Sequence, residues 1–145
     1  MTDKQSEDKA AIREIFTRWS TAARNKDLDG IMALYSDDIC SYDAVGPLQF
    51  NGRDDYRAHW ERCMAFDDEF IMEPQEPFIR VSGHLAVARF LIRCGMRKED
   101  GTEQASWMRS SYHLEKQGGE WRIAHEHFSL PFDFENGAAQ FGLQP

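Results

Sequence analysis

Apolar residues recur at three- and four-residue spacing through residues 6–24, where Ile12, Ile15, Phe16, Trp19 and Ala23 fall on one stripe. Such a stripe predicts an amphipathic helix, with Ser6 as its cap and Glu7 and Asp8 at the positive end of its dipole. Asn25 and Lys26 close it, and Asp27 caps a second, short helix carrying Leu28, Ile31, Met32 and Tyr35 on one side. A short strand is expected over 39–43, then a loop at Gly46-Pro47. From Gly52 a third helix runs to about Phe66, with Asp54 and Asp55 in its first turn and Tyr56, His59, Trp60 and Cys63 on one face.

After Phe66 the period changes from helical to extended. Residues 69–82 contain Pro74 and Pro77, which predicts a bent or edge strand. Residues 85–96 make the clearest strand, with Ala86, Ala88, Phe90, Ile92, Cys94 and Met96 opposed to Val87, Arg89, Leu91 and Arg93. Asp100-Gly101 turns the chain into residues 104–116, where Trp107, Arg109, Ser111 and His113 alternate with Met108, Ser110, Tyr112 and Leu114. Gly118-Gly119 leads into a last strand. In it Trp121, Ile123, His125, His127 and Ser129 share one side, and Arg122, Ala124, Glu126, Phe128 and Leu130 the other. Unbroken alternation makes this strand an anchor in the core at one end and the lining of a pocket mouth, through His127 and Ser129, at the other. Pro131 ends its pairing.

Helices first and an antiparallel meander afterwards define an α+β domain, with the helices gathered on one face of a curved sheet. A single domain covers the 145 residues, its core running from about 6 to 133, and residues 134–145 are expected to be a loosely held tail.

Charge narrows the partners. Asp and Glu number 25 against 17 Lys and Arg, a net charge of −8, which disfavours nucleic acid and anionic membrane surfaces and leaves a small-molecule ligand or another protein. The polar, acidic residues 1–9 do not read as an export signal, and no stretch approaches the roughly 20 apolar residues of a membrane helix. Cys40, Cys63 and Cys94 lie far apart, outside any Cys-x-x-Cys pattern, and read as reduced, mostly buried thiols of a cytoplasmic protein.

Four stretches carry a family resemblance: Lys-Asp-Leu-Asp-Gly-Ile-Met-Ala-Leu-Tyr-Ser-Asp-Asp (26–38), Ser-Tyr-Asp-Ala-Val-Gly-Pro (41–47), Gly52 opening a helix, and Trp-Arg-Ile-Ala-His-Glu-His-Phe-Ser-Leu-Pro-Phe (121–132). Together they resemble the nuclear transport factor two-like superfamily, and within it SnoaL-like and ketosteroid-isomerase-like proteins. The closing strand is also similar to the association domain of calcium/calmodulin-dependent protein kinase II. The resemblance implies a cone-shaped fold, a strongly curved mixed or antiparallel sheet with three N-terminal helices packed on its concave face. It further implies a pocket inside the cone and a homodimer through the outer face of the sheet. Asp43 matches the general-base aspartate that ketosteroid isomerases carry in an Asp-Pro-Val-Gly run. Their oxyanion-binding tyrosine is replaced here by Trp19, and their protonated aspartate falls near Ser111 or Tyr112, so neither partner is kept.

Each candidate has a functional and a structural reading. Asp43 is a base entering an apolar cone, or a loop cap accepting from the backbone near Val45 or Gly46. His125 and His127 invite a metal reading completed by Asp43 or His59, but there is no second local ligand pair, so no metal is expected. His127 instead borders the pocket. Tyr56, His59 and Trp60 are either core or pocket wall. Arg89, Arg93 and Arg109 pair with surface carboxylates, or one of them, Arg109 foremost, enters the cone beside Ser129 to bind an oxyanion.

These residues lead to the expectation of a cofactor-independent enzyme moving a proton on a small, mostly apolar carbonyl compound, by isomerisation, cyclisation or dehydration. Asp43 would be the base, and His127, Arg109, Tyr112 and Trp19 would hold the enolate. The rival expectations are a ligand-binding or oligomerisation module without chemistry, and an accessory protein whose pocket is vestigial. Apolar residues on both sides of 85–96 support a homodimer that covers the sheet.

Overall fold

The computed structural model describes residues 2–145; Met1, the first residue of the polar N-terminal stretch, lies outside them. Helix α1 spans Asp3–Arg24 and begins before the expected Ser6. Thr2 is the cap: its hydroxyl accepts the Gln5 N–H, and the Gln5 side chain accepts the Thr2 N–H in return. Lys26, at φ 54°, takes the chain out of α1. Asp27 accepts from the Gly30 N–H to start α2 (Leu28–Met32). Tyr35, expected on that short helix, instead opens β1 (Tyr35–Tyr42). The two-residue β2 (Phe50–Asn51) then leads into α3 (Arg53–Met64).

The remaining strands are β3 (Glu69–Pro74), β4 (Phe78–Ser82), β5 (Leu85–Arg97), β6 (Glu103–Gln117) and β7 (Glu120–Ser129). The sheet order is β2-β1-β7-β6-β5-β3, with β4 also paired to β5. β3 and β4 are the two halves of the expected bent edge strand. Both run antiparallel to β5, along Ile92–Arg97 and Leu85–Arg89, and the segment with Pro74 and Pro77 breaks the pairing between them. β5, β6 and β7 form the expected meander. β1 joins β7 in parallel, which makes the sheet mixed.

The sheet curves without closing, and α1 lies across its concave face. Phe16 packs between Phe90 and Tyr112, with ring centroids at 5.0 and 4.7 Å, and Trp19 stacks on Phe128 at 6.0 Å. Burying each such aromatic side chain stabilises the fold by roughly 1.5 to 3 kcal/mol. At the narrow end, Asp8 of α1 is buried and accepts from the Trp121 indole at 2.9 Å and from Lys116 at 3.0 Å.

One residue decides what the last strand presents. Leu114 pairs with Ile123 and the preceding His113 with His125, so Ala124 is an extra residue on β7, a bulge. Alternation restarts beyond it. Trp121 and Ile123 are buried, and so are Glu126 and Phe128, while His127 is exposed. The expectation of an inward His127 is thereby corrected, because it assumed an unbroken period of two. On β6 the inward residues are Ser110, Tyr112 and Leu114, so Arg109 points outward and its Nε–H donates to Ser129 at 3.1 Å.

The tail is more ordered in its bonding than expected. Phe132 bridges to Ala139, Asp133 N–H donates to the Ala138 carbonyl at 2.7 Å, and Gln140 N–H donates to that of Pro131 at 2.9 Å. The cysteines are half-buried free thiols. Among the described residues no helix is long and apolar enough to cross a membrane.

Candidate active site

Inside the cone the bulged strand delivers a carboxyl to an apolar interior. Glu126 is fully buried. The Tyr35 hydroxyl lies 3.1 Å from both of its oxygens, the Ser41 hydroxyl 3.4 Å from Oε1, and the Tyr56 hydroxyl makes a close contact with Oε1. Tyr35 and Ser41 are presented by β1, which runs alongside β7 with Ser41 opposite Glu126, and Tyr56 comes from α3. Among the described residues no basic side chain pairs with this carboxyl. Loss of water therefore pushes its pKa up, to about 8, with the charge of Asp43 adding to the effect and the hydroxyl donors opposing it. The same burial, next to the same carboxyl, raises Tyr35 and Tyr56 well above the ordinary phenol range.

Asp43 follows β1 and uses its two oxygens differently. Oδ1 accepts the Val45 N–H at 3.3 Å, which is the loop-capping bond of the structural reading. Oδ2 faces the site, 3.2 Å from His59 Nε2 and 3.3 Å from the Tyr56 hydroxyl. The Asp43 and His59 side chains keep only 16% and 10% of their exposure. His59 is raised to about 9, first by its bond to Asp43 and then by Cys63, against the cost of burial. At neutral pH His59 therefore keeps its proton and faces Asp43 Oδ2 as an imidazolium.

A chamber of about 160 Å³ opens beside this pair, lined by Trp19, Asp43, Val45, Tyr56, Trp60, Met72, Cys94, Met108 and Phe128. Its walls are aromatic rings and sulfur-bearing side chains, and Asp43 is the charged group among them. The Cys94 thiol is pushed up to about 12 by burial, so it is not a nucleophile at neutral pH. The indole N–H of Trp19 is committed to Tyr35 at 2.9 Å. That of Trp60 is buried without a partner among the described residues, as is the Tyr112 hydroxyl.

Of the sequence candidates, the structure brings Trp19, Asp43, Tyr56 and Trp60 together around the chamber, with His59 directly behind Asp43. Tyr112 is buried nearby, its ring 6.1 Å from that of Phe128. Arg109, His127 and Ser129 stand on the opposite face of the sheet. His125 does too: its Nδ1 bonds the Cys40 carbonyl at 2.7 Å, and the rings of His125 and His127 flank Tyr42. The two strand histidines are thus separated by the sheet from Asp43 and His59, with which a metal set had been considered. Glu126 was not among the candidates. Its signal was an acid on the side of the strand that also carried Phe128 and Leu130.

The family model of the SnoaL-like domain matches residues 12–133. An NTF2-like protein of unknown function from Pseudomonas putida KT2440 is 39% identical, covering 100% of this chain and 99% of that one, with a TM-score of 0.86. At 18% identity, a proposed calcium/calmodulin dependent protein kinase II association domain from Xanthomonas campestris covers 81% of this chain and 84% of its own, with a TM-score of 0.69. A proposed dehydratase of the NTF2-like family from Streptomyces avermitilis is 13% identical, covering 86% and 97%, with a TM-score of 0.76. No curated protein matches the chain.

Proposed function

This chain belongs to the SnoaL-like family of NTF2-like proteins, and on that premise we propose that it binds a small, uncharged, mostly apolar carbonyl compound and moves a proton on it without a cofactor. The observation that carries the reading is the placement of Asp43. It is a largely buried carboxylate in the wall of an aromatic chamber, held in position by His59 and Tyr56. A base fixed in an apolar wall within reach of a bound C–H is the arrangement proton abstraction next to a carbonyl requires. Trp60 lines the chamber through its ring, and the indole N–H of Trp19 is bonded to Tyr35. Isomerisation, cyclisation and dehydration all share this first step. The proposed dehydratase among its structural neighbours is in keeping with the third.

The test is deuterium exchange at the α-carbon of small cyclic and aryl ketones, followed by NMR, in the native protein and in Asp43→Asn. Exchange that disappears in the variant supports the reading. Equal exchange in both removes Asp43 as the base, and binding with no exchange in either points to the ligand-binding module. The reading includes a homodimer through the outer face of the sheet, where Phe78, Leu85 and Val87 are exposed. Light scattering giving a monomer at micromolar concentration would count against it.

A further inference from the structure

Tyr56 has one hydroxyl proton and two carboxyls to serve: Oε1 of Glu126 in close contact and Oδ2 of Asp43 at 3.3 Å. One proton cannot satisfy both, so the state of Glu126 decides the direction. With Glu126 ionised, the protons of Tyr35, Tyr56 and Ser41 all turn towards it, and the Tyr56 oxygen faces Asp43 lone pair to lone pair. With Glu126 protonated, its own O–H donates to Tyr56 and the Tyr56 O–H donates to Asp43. Tyr35 still donates to the second Glu126 oxygen while accepting from Trp19. Every contact then has one proton. Full burial without a counter-cation favours this neutral form, and the rise of its pKa to about 8 agrees.

The groups that face Glu126 are Tyr35 and Ser41 of β1 and Tyr56 of α3, with Asp43 and Tyr112 of β6 within reach of its charge. Behind them, Trp19 of α1 bonds Tyr35, His59 of α3 bonds Asp43, and Cys94 of β5 lines the chamber with Asp43. Of these His59 titrates nearest the same range, at about 9.

We propose that Glu126 is a positioning residue that sets the hydrogen bonding of Asp43 by deciding which of the two carboxyls the Tyr56 hydroxyl donates to. This rests on the reading of Asp43 as the base. While Glu126 keeps its proton, Asp43 accepts from both Tyr56 and His59. When Glu126 ionises, Asp43 loses the Tyr56 proton, keeps that of His59 and gains a neighbouring negative charge, so it is left with one side-chain donor where it had two.

The experiment needs no substrate. The Asp43 carboxyl carbon, assigned by its absence in Asp43→Asn, is followed by NMR from pH 6 to 10 in the native protein, Glu126→Gln and Tyr56→Phe, together with the His59 ring. The native protein should show a step near pH 8 that does not track the His59 signal. In Glu126→Gln, where the amide donates to Tyr56 at all pH values, the step should vanish. In Tyr56→Phe it should shrink to less than half. No separate step in the native protein, or a step of undiminished size in Tyr56→Phe, overturns the proposal, and the latter stands even where Glu126→Gln does not fold. Neither result touches the ketone-exchange test of Asp43, so the two readings fail separately.

Discussion

The indole N–H of Trp19 donates to the Tyr35 hydroxyl at 2.9 Å, joining the middle of α1 to the first residue of β1 inside the core. That hydroxyl also partners Glu126, which Tyr56 and Ser41 contact as well. Replacing Tyr35 by Phe strands the Trp19 indole and removes one donor from Glu126, and the cost expected is about 1 to 3 kcal/mol. Urea unfolding of Tyr35→Phe, Trp19→Phe and the double variant should show a double-variant loss smaller than the sum of the singles. Strict additivity would mean that the bond contributes nothing.

Stability should fall as the solution becomes alkaline. Glu126 and His59 both hold their protons more tightly in the folded protein, at about 8 and about 9, than their ordinary values of 4.5 and 6.5. The unfolded chain thus releases these protons first. Folding free energy is lost between about pH 4.5 and 8 through Glu126 and between about 6.5 and 9 through His59. At 1.36 kcal/mol per pH unit the Glu126 effect is on the order of a few kcal/mol. Melting temperatures across pH 5 to 9 should decline in the native protein and decline less in Glu126→Gln, and parallel curves for the two would refute the assignment.

Asp8 works in the opposite sense. Its bonds to Trp121 and Lys116 hold its pKa below 3.8, so the stability it adds is present above that value and is lost as pH falls through the lowered one. Asp8→Asn should leave a melting curve that no longer steepens at low pH, with the largest difference from native near neutrality.

Gly95 is required by space rather than by backbone angle. A Cβ there would stand 1.9 Å from the Gln104 carbonyl oxygen on the neighbouring strand. Gly95→Ala must push β5 and β6 apart, at an expected cost of about 1 to 3 kcal/mol. Amide exchange should rise at Cys94 to Met96 and at Gln104 to Ser106, and an unchanged pattern would show that the sheet absorbs the methyl freely.

Much of the fold was legible in the sequence because it is written in periods. The stripe Ile12, Ile15, Phe16, Trp19 and Ala23, the alternation of β5 and the turns at Gly101 and Gly118-Gly119 all depend on local repetition. Asp43, Tyr56 and Trp60 could be anticipated because they sit on elements whose inner faces were clear or matched a known run. His127 and Ser129 were referred to the interior by the same rule of alternation, which fails after Ala124, and Arg109 followed them as a neighbour on the adjacent strand. Nothing local marks that residue, because a bulge depends on how many residues the neighbouring strand spends over the same length. Glu126 was hidden for the same reason, and for another: a lone acid is not expected in a core until three hydroxyls from distant parts of the chain are seen around it.

The spare residue at Ala124 behaves as a change of reading frame in space. The same residues without the bulge, with Ala124 taking its place in the ladder, would turn His125 and His127 inward and send Glu126 to the outer face, exchanging an acidic interior for a basic one. Proteins sharing this architecture can therefore invert the chemistry of their cavity by forming or smoothing out one bulge. When two of them are compared column by column, the chemistry assigned to this stretch depends on where the gap is drawn.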